Sequence, residues 1–212
     1  MPSSSALATF LVASIVLIEI PGPSLLFALG RALTTGRRQA LLSVVGNGFG
    51  VLIQVIAISV GLGALVAASA TAFTVLKLVG AAYVVYLGVQ AIRHRSDARR
   101  ALAGAGAAAP RSVAHALRTG LVVGLTNPKT VVFFAAFLPQ FVDRGHAAAP
   151  QMVLLGVVFS VLAVASDSCW VLAASGAKQW FARKPARLDG LGATGGVMMI
   201  GLGAVLATTR SR

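Results

Sequence analysis

Apolar runs of about 20 residues or more, parted by short basic connections, set the pattern of the chain. Six such runs cover roughly residues 6–29, 40–66, 71–92, 119–141, 150–177 and 189–208, and about 20 apolar residues suffice for a helix that crosses a bilayer. From Gln39 to Leu76 there is no charged residue, and the apolar pattern continues to Ile92. One helix over 39–92 would be about 80 Å long, far beyond a bilayer. The chain must therefore turn back, most simply at Ala67-Ala68-Ser69-Ala70-Thr71. The first run reads as a retained span rather than a secretory signal. Its leader, Met1-Pro2-Ser3-Ser4-Ser5, lacks Lys and Arg, and Glu19 and a Pro-Gly-Pro stand where a cleavage region needs small residues.

Composition agrees with this pattern. Of the 212 residues 57% are hydrophobic and 11% charged, with a mean hydropathy of +0.87; a soluble domain has about 45–50% apolar and about 25% charged residues. The net charge of +13 comes from 18 Lys and Arg against 5 Asp and Glu. Thirteen of those 18 basic residues fall in three connections, which follow the first, third and fifth runs. That asymmetry puts these connections in the cytoplasm and both termini outside. It also accounts for the basic character without nucleic acid, which needs its Lys and Arg on one folded surface. A single cysteine, Cys169, excludes a disulfide framework, a multi-cysteine zinc site and dithiol chemistry within one chain; it is expected to be a small core residue. His94, His115 and His146 lie near connections and form no metal cluster. No metal and no cofactor are expected.

Ala101 to Pro110 is a low-complexity Ala/Gly stretch in the longest connection, and its position makes it a tether between two halves. The chain thus reads as a single transmembrane domain over 1–212, with repeat one at about 6–92, a cytoplasmic linker at about 93–118 and repeat two at about 119–208. Three spans per half is an odd number, so equivalent halves would be inverted in the membrane. Both halves open with a proline-broken span, at Pro21-Gly22-Pro23 and at Asn127-Pro128-Lys129. Both also close with glycines eight residues apart, Gly80 and Gly88, then Gly195 and Gly203. Matching interruptions in the two halves point to a transport site near the bilayer midplane. Proline removes an N–H and clashes one turn back, so carbonyls near residues 17–19 and 124–125 lose helical partners. In lipid these need protein or a water-filled cavity. The half-helix starting at Pro23-Ser24 would aim its positive dipole end inward, where it favours a carboxylate.

These residues resemble the LysE/RhtB amino-acid exporters. The matching elements are Pro21-Gly22-Pro23, Gly36-Arg37-Arg38, Gly46 and Gly50, Lys77 to Tyr83 with Tyr86-Leu87-Gly88, and Thr126-Asn127-Pro128-Lys129. Phe133-Phe134, Leu138-Pro139-Gln140-Phe141, Asp167, Trp170, Gly195 and Gly203 follow in order. The likeness runs from about residue 10 to 206. The chain departs from the family pattern at Ser24, where Asn is common, and at Val51 and Gln54, where span 2 often carries an acidic residue and a His. The resemblance implies a secondary exporter of an amino acid or a close derivative in a bacterial cytoplasmic membrane; carboxylates inside the spans point to proton-coupled antiport and the two proline breaks to alternating access.

Glu19, Asn127, Lys129 and Asp167 lie inside spans, where polar groups normally face the interior and mark a pathway. An amino acid needs donors and acceptors a few ångströms apart. The candidate substrate-binding set is Pro21, Gly22, Pro23, Ser24, Asn127, Pro128 and Lys129 around one hydrated cavity. Glu19 and Asp167 are candidates for proton coupling; the alternative is a buried ion pair of Lys129 with either carboxylate, serving packing alone. Tyr83, Tyr86 and Trp170 read as interface or packing aromatics, and Phe133, Phe134 and Phe137 as an apolar face. Partners are then an amino-acid-like solute, protons and the bilayer, with a homo-oligomer open through the Gly-rich spans. A metal-ion exporter would want more carboxylate, Cys or His in its spans. A membrane-embedded enzyme would need paired catalytic groups, and a channel a repeated charged ring.

Overall fold

The structure is a computed structural model that describes residues 4–68, 70–96, 99, 112–143 and 145–208. Among the described residues there is no strand. Helices α1 (Ser4–Glu19) and α2 (Pro23–Thr34) form one element bent by 50°. Helices α3 (Arg37–Ala68) and α4 (Ala70–Arg93) follow. A second bent element joins α5 (Val113–Leu125) to α6 (Pro128–Ala136) and a 3-10 turn, Leu138–Phe141, at 46°. Helix α7 (Ala148–Gly176), the short α8 (Lys178–Arg183) and α9 (Ala186–Thr208) complete the chain.

All six expected apolar runs are helical. Three helices are long and apolar enough to cross a membrane, and the two bent pairs raise the number to five among the described residues; α4 adds the shorter apolar stretch Leu78–Arg93. The expected turn falls between α3 and α4, though Ser69 itself, like the Ala101–Pro110 tether, lies outside the described residues. Local chemistry sets the breaks and turns. Pro23 and Pro128 occupy first-turn positions of α2 and α6, where a missing N–H costs nothing. Gly36 ends α2 with φ 89°, and its N–H and that of Thr35 both close on the Arg31 carbonyl.

Small residues carry the packing between helices. Apolar side chains gain little from leaving lipid, so close backbone approach supplies the attraction. On the seam between α3 and α5, a Cβ at Gly46 or Gly50 would collide with the backbone of Leu117 or Leu121. Across it, a Cβ at Gly120 or Gly124 would collide with the Ser43 or Asn47 carbonyl. Numbers rise together along both helices, so α3 and α5 are parallel. Helices α4 and α9 are antiparallel: Gly88 meets Gly196, and Gly203 meets the Ala81 carbonyl. Helices α3 and α7 are also antiparallel, with Gly48 on Val164 and Gly156 on Val55.

These directions gather the α2–α3 turn, the end of α4, the start of α5 and the α7–α9 connection at one end of the bundle. Arg95 there packs against Gly192, and Arg99 Nε lies 3.2 Å from Asp189. At the other end the Gln151 amide donates to the Asp143 and Ala147 carbonyls at 3.0 and 3.1 Å. The Gly145 N–H and His146 hold the Asp143 carboxyl below the usual carboxylate range. Between the ends, Phe10, Phe133, Phe134, Phe141 and Phe159 form the largest buried cluster, so the phenylalanine face packs the interior. Outward positions are apolar as well: Val12, Val60, Val161 and Val197 are 62–73% exposed. This suits a surface bathed in hydrocarbon.

Candidate functional site

The two proline breaks meet each other. At the first, Pro21 cannot supply the N–H that would meet the Leu17 carbonyl one turn back, and that carbonyl keeps only the Ile20 N–H at 3.2 Å. Lys129, the second residue of α6, fills that gap. Its Nζ donates to the Leu17 carbonyl at 2.9 Å and to the Ile20 carbonyl at 2.8 Å. Gly22 gives the crossing room, because a Cβ there would stand 3.2 Å from Lys129 Cδ, Cε and Nζ, and the lysine would have to shift by a few tenths of an ångström. Gly22 is also the N-cap of α2 in an extended conformation and offers no side-chain acceptor to the first turn.

At the second break the arrangement is reciprocal. Asn127 caps α6: its Oδ1 accepts from the Lys129 backbone N–H at 3.0 Å, while Nδ2 donates to Ser24 Oγ at 2.7 Å. Ser24 in turn donates to Asn47 Oδ1 at 3.0 Å. Gln54 of α3 meets the carbonyl at the end of α5, its Nε2 donating to Leu125 at 2.9 Å, and also reaches the Asn127 carbonyl at 3.3 Å, which takes the Val131 N–H as the first bond of α6. Thr130 Oγ1 adds a bond to the Asn127 carbonyl at 3.0 Å. Each broken helix is thus completed by a long side chain from the other half of the chain.

Sequence-derived candidates fall into three groups. Gly22, Ser24, Asn127 and Lys129 are brought together, with Lys129 only 6% exposed. Pro21 is buried against Gly195, where a Cβ would strike the Pro21 carbonyl, whereas Pro23 is exposed and Pro128 half-buried. Glu19 and Asp167 flank this centre without joining it. Glu19 accepts from Ser166 Oγ at 2.5 Å and Trp170 Nε1 at 3.0 Å. Asp167 is buried at 6% exposure and, like Glu19, acts on Lys129 through space. Among the described residues no carboxylate lies within 4.0 Å of the Lys129 ammonium. The ammonium is met instead by two backbone carbonyls.

The Lys129 side chain crosses between the two breaks. An open depression of about 270 Å³ lies along α7, lined by Ser166, Cys169, Trp170 and Ala173. One expectation needs correction. Cys169 is exposed on that depression and is not a core residue, because residue 169 faces away from the buried stripe of Ala163, Asp167, Val171 and Ala174. Trp170 does more than pack, since its N–H holds Glu19. Asn47, Gln54 and Ser166 had no assigned contacts in the sequence reading; their signal was a polar side chain on an otherwise apolar helix. Tyr83 and Tyr86 stay outside the site as an exposed ring pair 5.8 Å apart.

Residues 15–210 match the family described as LysE type translocator. The chain belongs to that family. Relatives of this LysE-type translocator include a homoserine/homoserine lactone efflux protein of Salmonella typhimurium, 31% identical over 95% of both chains. A leucine efflux protein of Klebsiella pneumoniae is 26% identical over 96% of this chain and 95% of its own. A membrane protein of Vibrio cholerae is 32% identical over 95% and 96%. No solved structure matches the chain. The family and these relatives make the protein a transporter rather than an enzyme, located as a multi-pass protein in a bacterial inner membrane.

Proposed function

We propose that this LysE-type translocator exports an amino acid or a close derivative, holding it where the two helix breaks meet. The observation that carries the reading is Lys129 reaching from one break to the carbonyls freed by the other. The site offers both halves of a zwitterion a partner. Ser24, Asn127 and the uncapped start of α2 present donors for a carboxylate, and the freed carbonyls, Glu19 and Asp167 present acceptors for an ammonium. Relatives named for homoserine and leucine efflux support that substrate class.

We further read the chain as six spans in two inverted three-helix repeats. The two bent elements run in opposite directions, because α2 descends to the turn from which α3 rises and α5 is parallel to α3. Alternating access would be a rocking of the halves about the breaks. Asp167, buried and, among the described residues, without a hydrogen bond to a neighbouring side chain, is the carboxyl suited to take up and release a proton; Glu19 is held by Ser166 and Trp170 beside the open depression.

The test is counterflow in proteoliposomes with labelled homoserine and leucine. Saturable exchange of at least one is expected in the native protein, and a loss of tenfold or more in Lys129→Met. Exchange driven by a pH gradient should fall in Asp167→Asn while counterflow at equal pH persists. Undiminished gradient-driven transport in Asp167→Asn, Glu19→Gln and Lys129→Met together would end the coupling mechanism.

A further inference from the structure

We infer that the carbonyl pair of Leu17 and Ile20 is a primary-ammonium site, filled by Lys129 in this structure and taken over by the α-ammonium of the substrate during transport. The inference rests on amino-acid export for its ligand, but the site itself stands on geometry. A lysine ammonium has three donors, and two of them are satisfied at 2.9 and 2.8 Å by carbonyls at the break, of which Leu17 also takes the Ile20 N–H at 3.2 Å. The charge is held by neutral oxygens, with Glu19 and Asp167 acting through space and no ion pair within 4.0 Å. A bond to neutral carbonyls exchanges for an identical group at little cost, because the incoming ammonium restores every contact the outgoing one gives up. A direct, buried ion pair would not exchange so readily.

The surroundings also select for a zwitterion. The position of a Cβ on Gly22 is 3.2 Å from Lys129 Nζ, so the ammonium sits against the uncapped start of α2. An α-amino acid that places its ammonium on Leu17 and Ile20 brings its carboxylate to that helix start. The displaced Lys129 then has an anion a short distance from its resting place. The exchange changes the linkage of the protein as well. With Lys129 in the site the two breaks are tied together; with substrate in the site the tie is released, and the halves are free to rock. Lys129 is by this account a tethered substitute for the cargo, which couples occupancy to motion.

The decisive experiment replaces the tether with its free analogue. Lys129→Ala removes three carbons and the ammonium, the atoms of n-propylammonium. Thermal unfolding of the purified variant in detergent is measured with n-propylammonium chloride and, at equal ionic strength, tetramethylammonium chloride, which has no N–H donor. Propylammonium should raise the melting temperature of the variant saturably, by on the order of 3 °C at tenfold excess over half-effect. It should leave the native protein unmoved. No rise, or an equal rise with tetramethylammonium, overturns the site. If Lys129→Ala folds only in the presence of amine, recovery of folded protein with propylammonium and not with tetramethylammonium is the same positive result, and failure to recover it with either overturns the site. Displacement is read in the native protein by amine-reactive labelling of Lys129 and mass spectrometry. Homoserine or leucine, whichever is exchanged, should raise labelling at least threefold. Exchange with unchanged labelling refutes displacement and leaves the exporter reading standing. Propylammonium rescue without any amino-acid exchange refutes the exporter reading and leaves the ammonium site standing.

Discussion

Lys129 and Gln54 do the same job from opposite halves. Each carries amide or ammonium donors across to a helix end where proline has removed an N–H, and each is buried. Unpaired carbonyls in hydrocarbon cost several kcal/mol in principle, and measured interhelical bonds give back about 1–2 kcal/mol. Gln54→Leu should therefore destabilise the protein by about 1–2 kcal/mol, read as a lower melting temperature in detergent. Ser160→Ala is the control: its buried hydroxyl makes no hydrogen bond, and removing such a group is neutral or mildly stabilising. Equal losses in the two variants would show that Gln54 only fills space. Pro21, Pro128 and Lys129 are legible from the sequence because a proline inside an apolar run and a charge beside it each demand a partner. Gln54 is not legible as that partner, because its acceptors lie about 70 residues away in the chain and only the parallel packing of α3 on α5 brings them into reach.

Helix by helix, the same glycines that mark the resemblance to amino-acid exporters turn out to be places where backbones touch. Gly46 and Gly50 are visible as a family element, but Gly120 and Gly124, which answer them across the seam, carry no mark that separates them from the other glycines of the chain. The eight-residue pairs also divide: Gly88 and Gly203 join α4 to α9, whereas Gly80 receives Val132 and Ala136 of α6 and Gly195 receives the Pro21 carbonyl. One glycine of each pair thus supports a break in the opposite half. Periodicity cannot show this, since it gives a face and not a neighbour. The packing makes a sharp contrast between two identical substitutions. A Cβ at Gly120 meets the Ser43 carbonyl, while one at Gly201 meets nothing within 4 Å. Gly120→Ala should cost about 1–3 kcal/mol through forced backbone separation. Gly201→Ala should be neutral or stabilising by up to about 1 kcal/mol, as expected for Ala in an open helical position. Thermal unfolding of the two purified variants decides it, and equal stability would mean that the α3–α5 seam is looser than drawn.

For the whole molecule, charge and packing are two separate sources for one arrangement. Loop by loop, 13 of the 18 basic residues fall in three connections. The parallel pair α3–α5 and the antiparallel pairs α3–α7 and α4–α9 carry those connections to a common end without reference to charge. The apolar helices were legible because bilayer thickness sets the length of an apolar run, and the common end was legible because the basic connections alternate along the chain. The seams that enforce it were not, for a hydrophobic face in lipid does not name its partner. If both sources describe the protein in its membrane, a reporter inserted near residue 105 is cytoplasmic and one fused after Thr208 is outside. A fluorescent protein that matures only in the cytoplasm should be bright at the first position and dark at the second, and alkaline phosphatase should show the reverse. A bright fusion at both positions would require an odd helix count between them to be wrong, and with it the three spans assigned to the second half. An even number of spans there would leave the second half unequal to the first, and the rocking of inverted three-helix halves would lose its geometric basis.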